Sequence, residues 1–105
     1  MTNFRFATPF TLVLLMMLAC GEQASVVESG TYNGTIAEVN AEETEIYVKL
    51  DSGELIELYF TDTTTLTQSG EEVSFSTIEV DDRVEVTVEK TGQRLDPVSV
   101  VLLDS

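Results

Sequence analysis

Cys20 is the only cysteine of the chain, and no histidine accompanies it anywhere in the sequence. Without imidazole, Ser–His and Cys–His nucleophilic arrangements and histidine-based zinc sites are excluded. Neither GxxxxGK[ST] nor GxGxxG occurs, so no glycine-rich loop is present to cradle a phosphate. Acid–base chemistry is left to nineteen Asp and Glu side chains. A hydrolytic carboxyl pair needs two of them about 5–9 Å apart across a cleft, with one held protonated. A domain this small offers little cleft, so the expectation is a non-enzyme with no catalytic residue and no cofactor. Glu42-Glu43-Glu45, Glu71-Glu72 and Asp81-Asp82 are the candidate calcium ligands, for an ion that wants roughly six to eight oxygens. They lack the DxDxDG spacing, and neighbouring acids on a strand point to opposite faces. They read as solvated charge, with no metal site.

The elements around Cys20 explain its position. Arg5 is the one cation ahead of an apolar run from about Phe6 to Leu18, and small Ala19 then precedes the cysteine. That order is a secretory signal peptide, with a run too short to span a bilayer as a stable helix. Met17-Leu18-Ala19-Cys20 resembles the lipobox of bacterial lipoproteins, with Met17 where Leu is usual and a bulky Leu18. The resemblance implies cleavage before Cys20, lipidation of its thiol, and permanent anchoring in a bacterial envelope membrane. A lone cysteine makes no internal disulfide, which agrees with that role.

The chain then divides into residues 1–19 as signal peptide, 20–30 as lipidated cysteine and flexible tether, and 31–105 as one small domain. Gly21 to Gly30, GEQASVVESG, has no periodicity and reads as a tether reaching about 35 Å at most. The formal net charge is −14. Lys49, Arg83, Lys90 and Arg94, the cations after the signal peptide, are scattered, so nucleic acid is excluded as a partner.

From Thr31 the pattern is β. EIYVKL (Glu45 to Leu50) and ELIELYF (Glu54 to Phe60) put even-numbered apolar residues on one face, and RVEVTVEK (Arg83 to Lys90) does the same with Val84, Val86 and Val88. Val98, Val100 and Leu102 fall on one side of a last strand, entered at Pro97 because proline cannot donate to a central ladder. In the first strand, Thr31 to Val39, Ile36 and Val39 are out of phase, which predicts a bulge. Asp51-Ser52-Gly53 predicts a three-residue hairpin loop pairing Val48 with Ile56 and Ile46 with Leu58. Thr91-Gly92-Gln93 predicts a second of the same kind. Ser74 to Ile78 predicts a helical turn with Phe75 and Ile78 inward.

Strand, strand, strand, short helix, strand, strand is the order of an all-β, five-stranded OB-like barrel. The same residues resemble a small-barrel family of unassigned function found in bacterial secreted proteins and lipoproteins. Its opening Gly-x-Ile/Val-x-x-Val strand is here Gly34-Thr35-Ile36-Ala37-Glu38-Val39, and its Thr-rich stretch is Thr61 to Thr67. Its hydrophobic-Gly-Asp-x-Val-x-Val signature is Val80-Asp81-Asp82-Arg83-Val84-Glu85-Val86, with Asp81 in place of the usual glycine. This resemblance implies no catalytic residue.

The hairpin register places Tyr47, Leu55 and Tyr59 on the outward face of the second and third strands, with Tyr47 opposite Glu57. OB folds commonly bind ligands on that face, and exposed tyrosines suit peptide, protein or sugar contacts. The expected function is a membrane-anchored, non-enzymatic binding module for an envelope protein or glycan. The alternative is a structural accessory domain with no discrete ligand beyond weak divalent-cation binding.

Overall fold

The structure, a computed structural model, describes residues 23–103. The expected signal peptide, residues 1–19, and Cys20 lie outside the described residues. Among the described residues seven strands run in chain order: β1 (Gly30–Asn40), β2 (Glu45–Leu50), β3 (Leu55–Tyr59), β4 (Thr65–Gln68), β5 (Glu71–Glu72), β6 (Arg83–Thr91) and β7 (Arg94–Leu103). They form one sheet in the order β3-β2-β1-β6-β7-β4-β5. The five strands read from the sequence are β1, β2, β3, β6 and β7. The two short additions, β4 and β5, fall in the polar stretch between the hairpins.

β1 is the spine. Its first half pairs with β6 (Tyr32 opposite Val86) and its second with β2 (Val39 opposite Ile46). Gly34 and Thr35 pair on both sides at once, Gly34 lying opposite Leu50 and Val84. A Cβ at Gly34 would stand 2.5 Å from the Lys49 carbonyl oxygen and 2.8 Å from Val48 Cγ1. Only glycine allows the strands to cross this closely. The predicted bulge follows at once: the β1–β2 register shifts between Ile36 and Glu38, leaving Ala37 as the extra residue.

Both hairpins form, with one difference. Gly53 takes φ +103° and its N–H donates to the Leu50 carbonyl at 2.8 Å, as the three-residue loop requires. At the second hairpin Thr91 pairs with Arg94, so Gly92-Gln93 is a two-residue connection. The last strand also starts earlier than Pro97. It begins at Arg94, and Pro97 sits inside it, opposite Val88, next to a register shift that leaves Val98 unpaired and 43% exposed. A bulge is where proline's missing N–H does least harm, and the extra residue turns Val98 away from the core face on which period-two reading placed it.

After β3 the chain turns through Thr61–Thr64, with the Thr64 N–H bonded to the Thr61 carbonyl at 3.0 Å. β4 then runs parallel to β7, Leu66 opposite Val100, and curls the sheet back on itself. The core is the inner face: Ile36, Ile46, Val48, Ile56, Leu58, Val84, Val86, Val88 and Val100 are essentially inaccessible. The 3-10 turn Phe75–Thr77 plugs one end, with Ile78 buried and Phe75 edge-on to Phe60 at 5.1 Å.

The packed domain begins before Thr31. Ala24 forms a parallel bridge with Leu55, the Ser25 N–H donates to the Leu55 carbonyl at 2.7 Å, and Val27 is buried in the core. Glu28 pairs with Lys90 at 3.1 Å, and its carbonyl accepts the Tyr32 hydroxyl at 2.7 Å. Residues 24–29, expected as tether, are a strap. Val26 and Val27 carry apolar area that the barrel's seam buries, an effect invisible in a segment without periodicity.

Asp81 occupies a glycine-like conformation, φ +81°, in the turn closed by the Asp82 N–H to the Glu79 carbonyl at 3.1 Å. Its own N–H donates to the Ile36 carbonyl at 2.8 Å, so the geometry is held from outside. Two opposite outcomes follow for urea or thermal unfolding. Asp81→Gly relieves a left-handed residue and should stabilise the domain by about 0.5–1 kcal/mol. Gly34→Ala must push two strands apart and should cost about 1–3 kcal/mol or more.

Candidate functional site

In β2–β3 the hydrogen-bonded cross-strand pairs are the even-numbered ones. Leu50 N–H donates to the Glu54 carbonyl and Phe60 N–H to the Thr44 carbonyl, and the ladder between keeps that parity. Glu45/Tyr59 and Tyr47/Glu57 are therefore non-hydrogen-bonded pairs, whose side chains approach most closely. Both pairs lie on the outer face, as the alternation predicts.

Sequence reasoning placed Tyr47, Leu55 and Tyr59 together here, and the structure separates their circumstances. Tyr59 is 46% exposed. Tyr47 is half-buried, its hydroxyl donating to Glu57 Oε2 at 3.2 Å. Leu55 is half-buried at the strap's bridge, opposite Lys49. The residue that sequence reasoning missed is Glu45. It begins an alternating run and reads as solvated, yet it is 5% exposed, the only buried charged residue among those described. The detectable signal was the register itself, which sets Glu45 across from Tyr59 and diagonal to Glu57; its burial belongs to the assembled face.

The two carboxyls share a hydrogen bond and their charges respond to it. That bond to Glu57, reinforced by burial, raises the Glu45 carboxyl above the usual range, and the same bond holds Glu57 below it. Of the two, Glu45 holds a proton to higher pH than an ordinary glutamate, and Glu57 gives its proton up at lower pH. Asn40 Nδ2 donates to Glu45 Oε1 at 3.4 Å. Burial and the neighbouring Glu57 charge push the Tyr47 hydroxyl up to about 12, and hydrogen bonding to Glu57 raises that of Tyr59. Both tyrosines stay neutral donors across the biological range.

Glu57 and Tyr59 also line a cleft of about 210 Å³ between β3, the strap at Ser25 and Val26, and the start of β7 at Arg94 and Leu95. Arg94 is held by Asp96, Nε to Oδ1 at 2.8 Å. Among the described residues no group of three or more His, Cys, Asp or Glu side chains is arranged to hold a metal ion. No helix among them is long and apolar enough to cross a membrane.

No protein-family profile matches the sequence, and no curated protein matches it. Solved structures do resemble the fold. A copper(II)-bound variant of CusF from Escherichia coli aligns with TM-score 0.55 and 12% identity, over 71% of this chain and 91% of that chain. A silver(I)-bound CusF structure aligns with TM-score 0.56 and 12% identity, over 72% and 99%. At this identity the likeness concerns architecture: the chain folds as a small, OB-like β-barrel.

The carboxyl pair predicts a pH dependence. Glu45 has a raised folded-state pKa, so its contribution to stability is fully present below the ordinary glutamate range. It is lost as pH rises through the raised value. Glu57, with a lowered pKa, contributes above the ordinary range and loses that contribution on acidification. Glu45→Gln keeps a hydrogen-bond donor without a proton to lose. Its urea midpoint should exceed that of wild type at pH 8 and lose the wild type's decline between mildly acidic and alkaline pH.

Proposed function

We propose that this protein is a non-enzymatic binding module of the bacterial envelope, anchored through lipid on Cys20 and engaging a partner through the outer face of β2–β3. The observation that carries the reading is Tyr59: an exposed ring beside a cleft and hydrogen-bonded to Glu57, on the face that OB folds commonly use. A neutral, rigid aromatic donor next to a fixed negative charge suits recognition and supplies no nucleophile. The chain has no histidine, and its carboxyl pair, Glu45 and Glu57, is hydrogen-bonded to itself instead of standing apart across a cleft, which supports a non-enzymatic reading.

Anchoring at Cys20 gains a consequence from the strap. With Ala24 bridged to Leu55, the span from Cys20 to the barrel is at most about 14 Å, against about 35 Å for a free ten-residue tether. The module is held near the membrane surface and its β3 edge lies next to the attachment.

The CusF structures hold copper(II) and silver(I). Silver(I) and copper favour sulfur and imidazole donors, and residues 23–103 contain no His, Cys or Met. The shared barrel therefore presents different chemistry here, with oxygen donors alone. Weak divalent-cation binding belongs to the alternative reading, a structural accessory domain.

Two experiments test the proposal. Wild-type protein expressed from its own signal should fractionate with membranes and carry lipid, whereas Cys20→Ser should be released or misprocessed; recovery of soluble wild type with an intact N-terminus would sink the anchoring. Immobilised protein should capture an envelope protein or glycan, and Tyr59→Ser with Tyr47→Phe should weaken capture at least tenfold, or about 1.4 kcal/mol, in a variant that still unfolds cooperatively in urea. Equal capture by the variant would leave the accessory reading.

A further inference from the structure

The outer edge of β3 is only partly used. Even-numbered residues of β3 direct their backbone groups to β2, so odd-numbered Leu55, Glu57 and Tyr59 turn theirs to the opposite edge. The bond from Ser25 N–H to the Leu55 carbonyl confirms that direction. Strap pairing ends there. Val27 drops into the core, and Glu28 and Ser29 are tied to β6, with the Lys90 N–H donating to Ser29 Oγ at 2.8 Å. Main-chain groups of Glu57 and Tyr59 are left facing the cleft of about 210 Å³, whose far wall is Arg94 and Leu95. Among the described residues no strand pairs with the edge at this point.

We propose that the β3 edge from Glu57 to Tyr59 accepts an extended, lysine- or arginine-bearing segment of a partner protein as an added strand. The backbone supplies alternating donors and acceptors in extended geometry, which is the recognition surface of strand addition. Charge selects the segment. Glu57 lies along the edge, and the one cation in the cleft, Arg94, is engaged by both oxygens of Asp96 at 2.8 and 3.2 Å. The exposed Tyr59 ring offers a face to a cationic head and its methylene stem. A second copy of this chain is a poor occupant, because it would bring its own Glu57 against this one in a chain of net charge −14. The inference rests on the binding-module reading and names the chemistry of its partner.

The test uses isotope-labelled full-length protein in detergent micelles, titrated with a synthetic peptide of repeating Lys-Thr-Val. Amide exchange at Glu57 and Tyr59 should slow by about tenfold or more, while Ile56, already bonded to β2, stays unchanged. The same peptide methylated on alternate backbone nitrogens should give no protection, nor should a repeating Glu-Thr-Val peptide. Glu57→Lys should invert the preference toward the acidic peptide. Unaltered exchange at Glu57 and Tyr59, or equal protection by the methylated peptide, overturns the proposal. So does protection that grows with protein concentration and without peptide, which would identify a second copy as the occupant. The parent reading fails separately. If the tyrosine variants lose capture while the edge amides never gain protection, the surface patch stands and strand addition falls. If the edge is protected while capture ignores the tyrosines, the reverse holds.

Discussion

One strand has to serve both halves of the barrel, and the rest of the architecture follows from how β1 manages it. Between Gly34 and Thr35 its two edges are bonded simultaneously to β2 and β6. At Gly34 the β2 strand comes so close that a Cβ would meet the Lys49 carbonyl and the Val48 side chain, which is why this position carries no side chain. The Ala37 bulge then re-aims the second half of the strand, so that Ile36 and Val39 both meet the core despite odd spacing. The turn at Glu79–Asp82 completes the arrangement by bonding to both backbone groups of Ile36, and it does so with Asp81 in a conformation better suited to glycine.

Closure is less complete on the other side. β4 seals part of the seam by pairing in parallel with β7, and the strap at residues 24–29 covers another part. Between them the barrel stays open at Glu57, Tyr59, Arg94 and Leu95. The seam is thus where three separately placed pieces of chain meet imperfectly, and it is also where the outer-face side chains gather.

The Glu45–Glu57 pair sits at that junction at a cost to stability. A carboxyl nine-tenths buried loses hydration that its hydrogen bonds only partly replace. An apolar pair at the same diagonal positions would pack without that loss. Its presence favours the charged form of Glu57 and sets two hydroxyl donors beside it, a polar arrangement held by mutual hydrogen bonds. Recognition gains from such fixed groups because little ordering remains to be done on binding.

Local pattern settled the elements. Period-two runs in EIYVKL, ELIELYF and RVEVTVEK determined three strands and their inner faces, and Asp51-Ser52-Gly53 determined the register that sets Tyr47 opposite Glu57. Such features depend on neighbours along the chain or across one short turn, so they are legible without a fold. The tertiary structure alone decided what depended on distant partners. The strap docks because Val27 finds a core that β3 and β6 build; β4 becomes a strand because β7 lies beside it; and Val98 turns outward because the long β6–β7 ladder absorbs an extra residue. Glu45 is the plainest case: its sequence context is that of a solvated strand end, and only the assembled sheet and its shared hydrogen bond with Glu57 make it a buried acid. Burial belongs to the assembled surface, and no stretch of sequence carries it by itself.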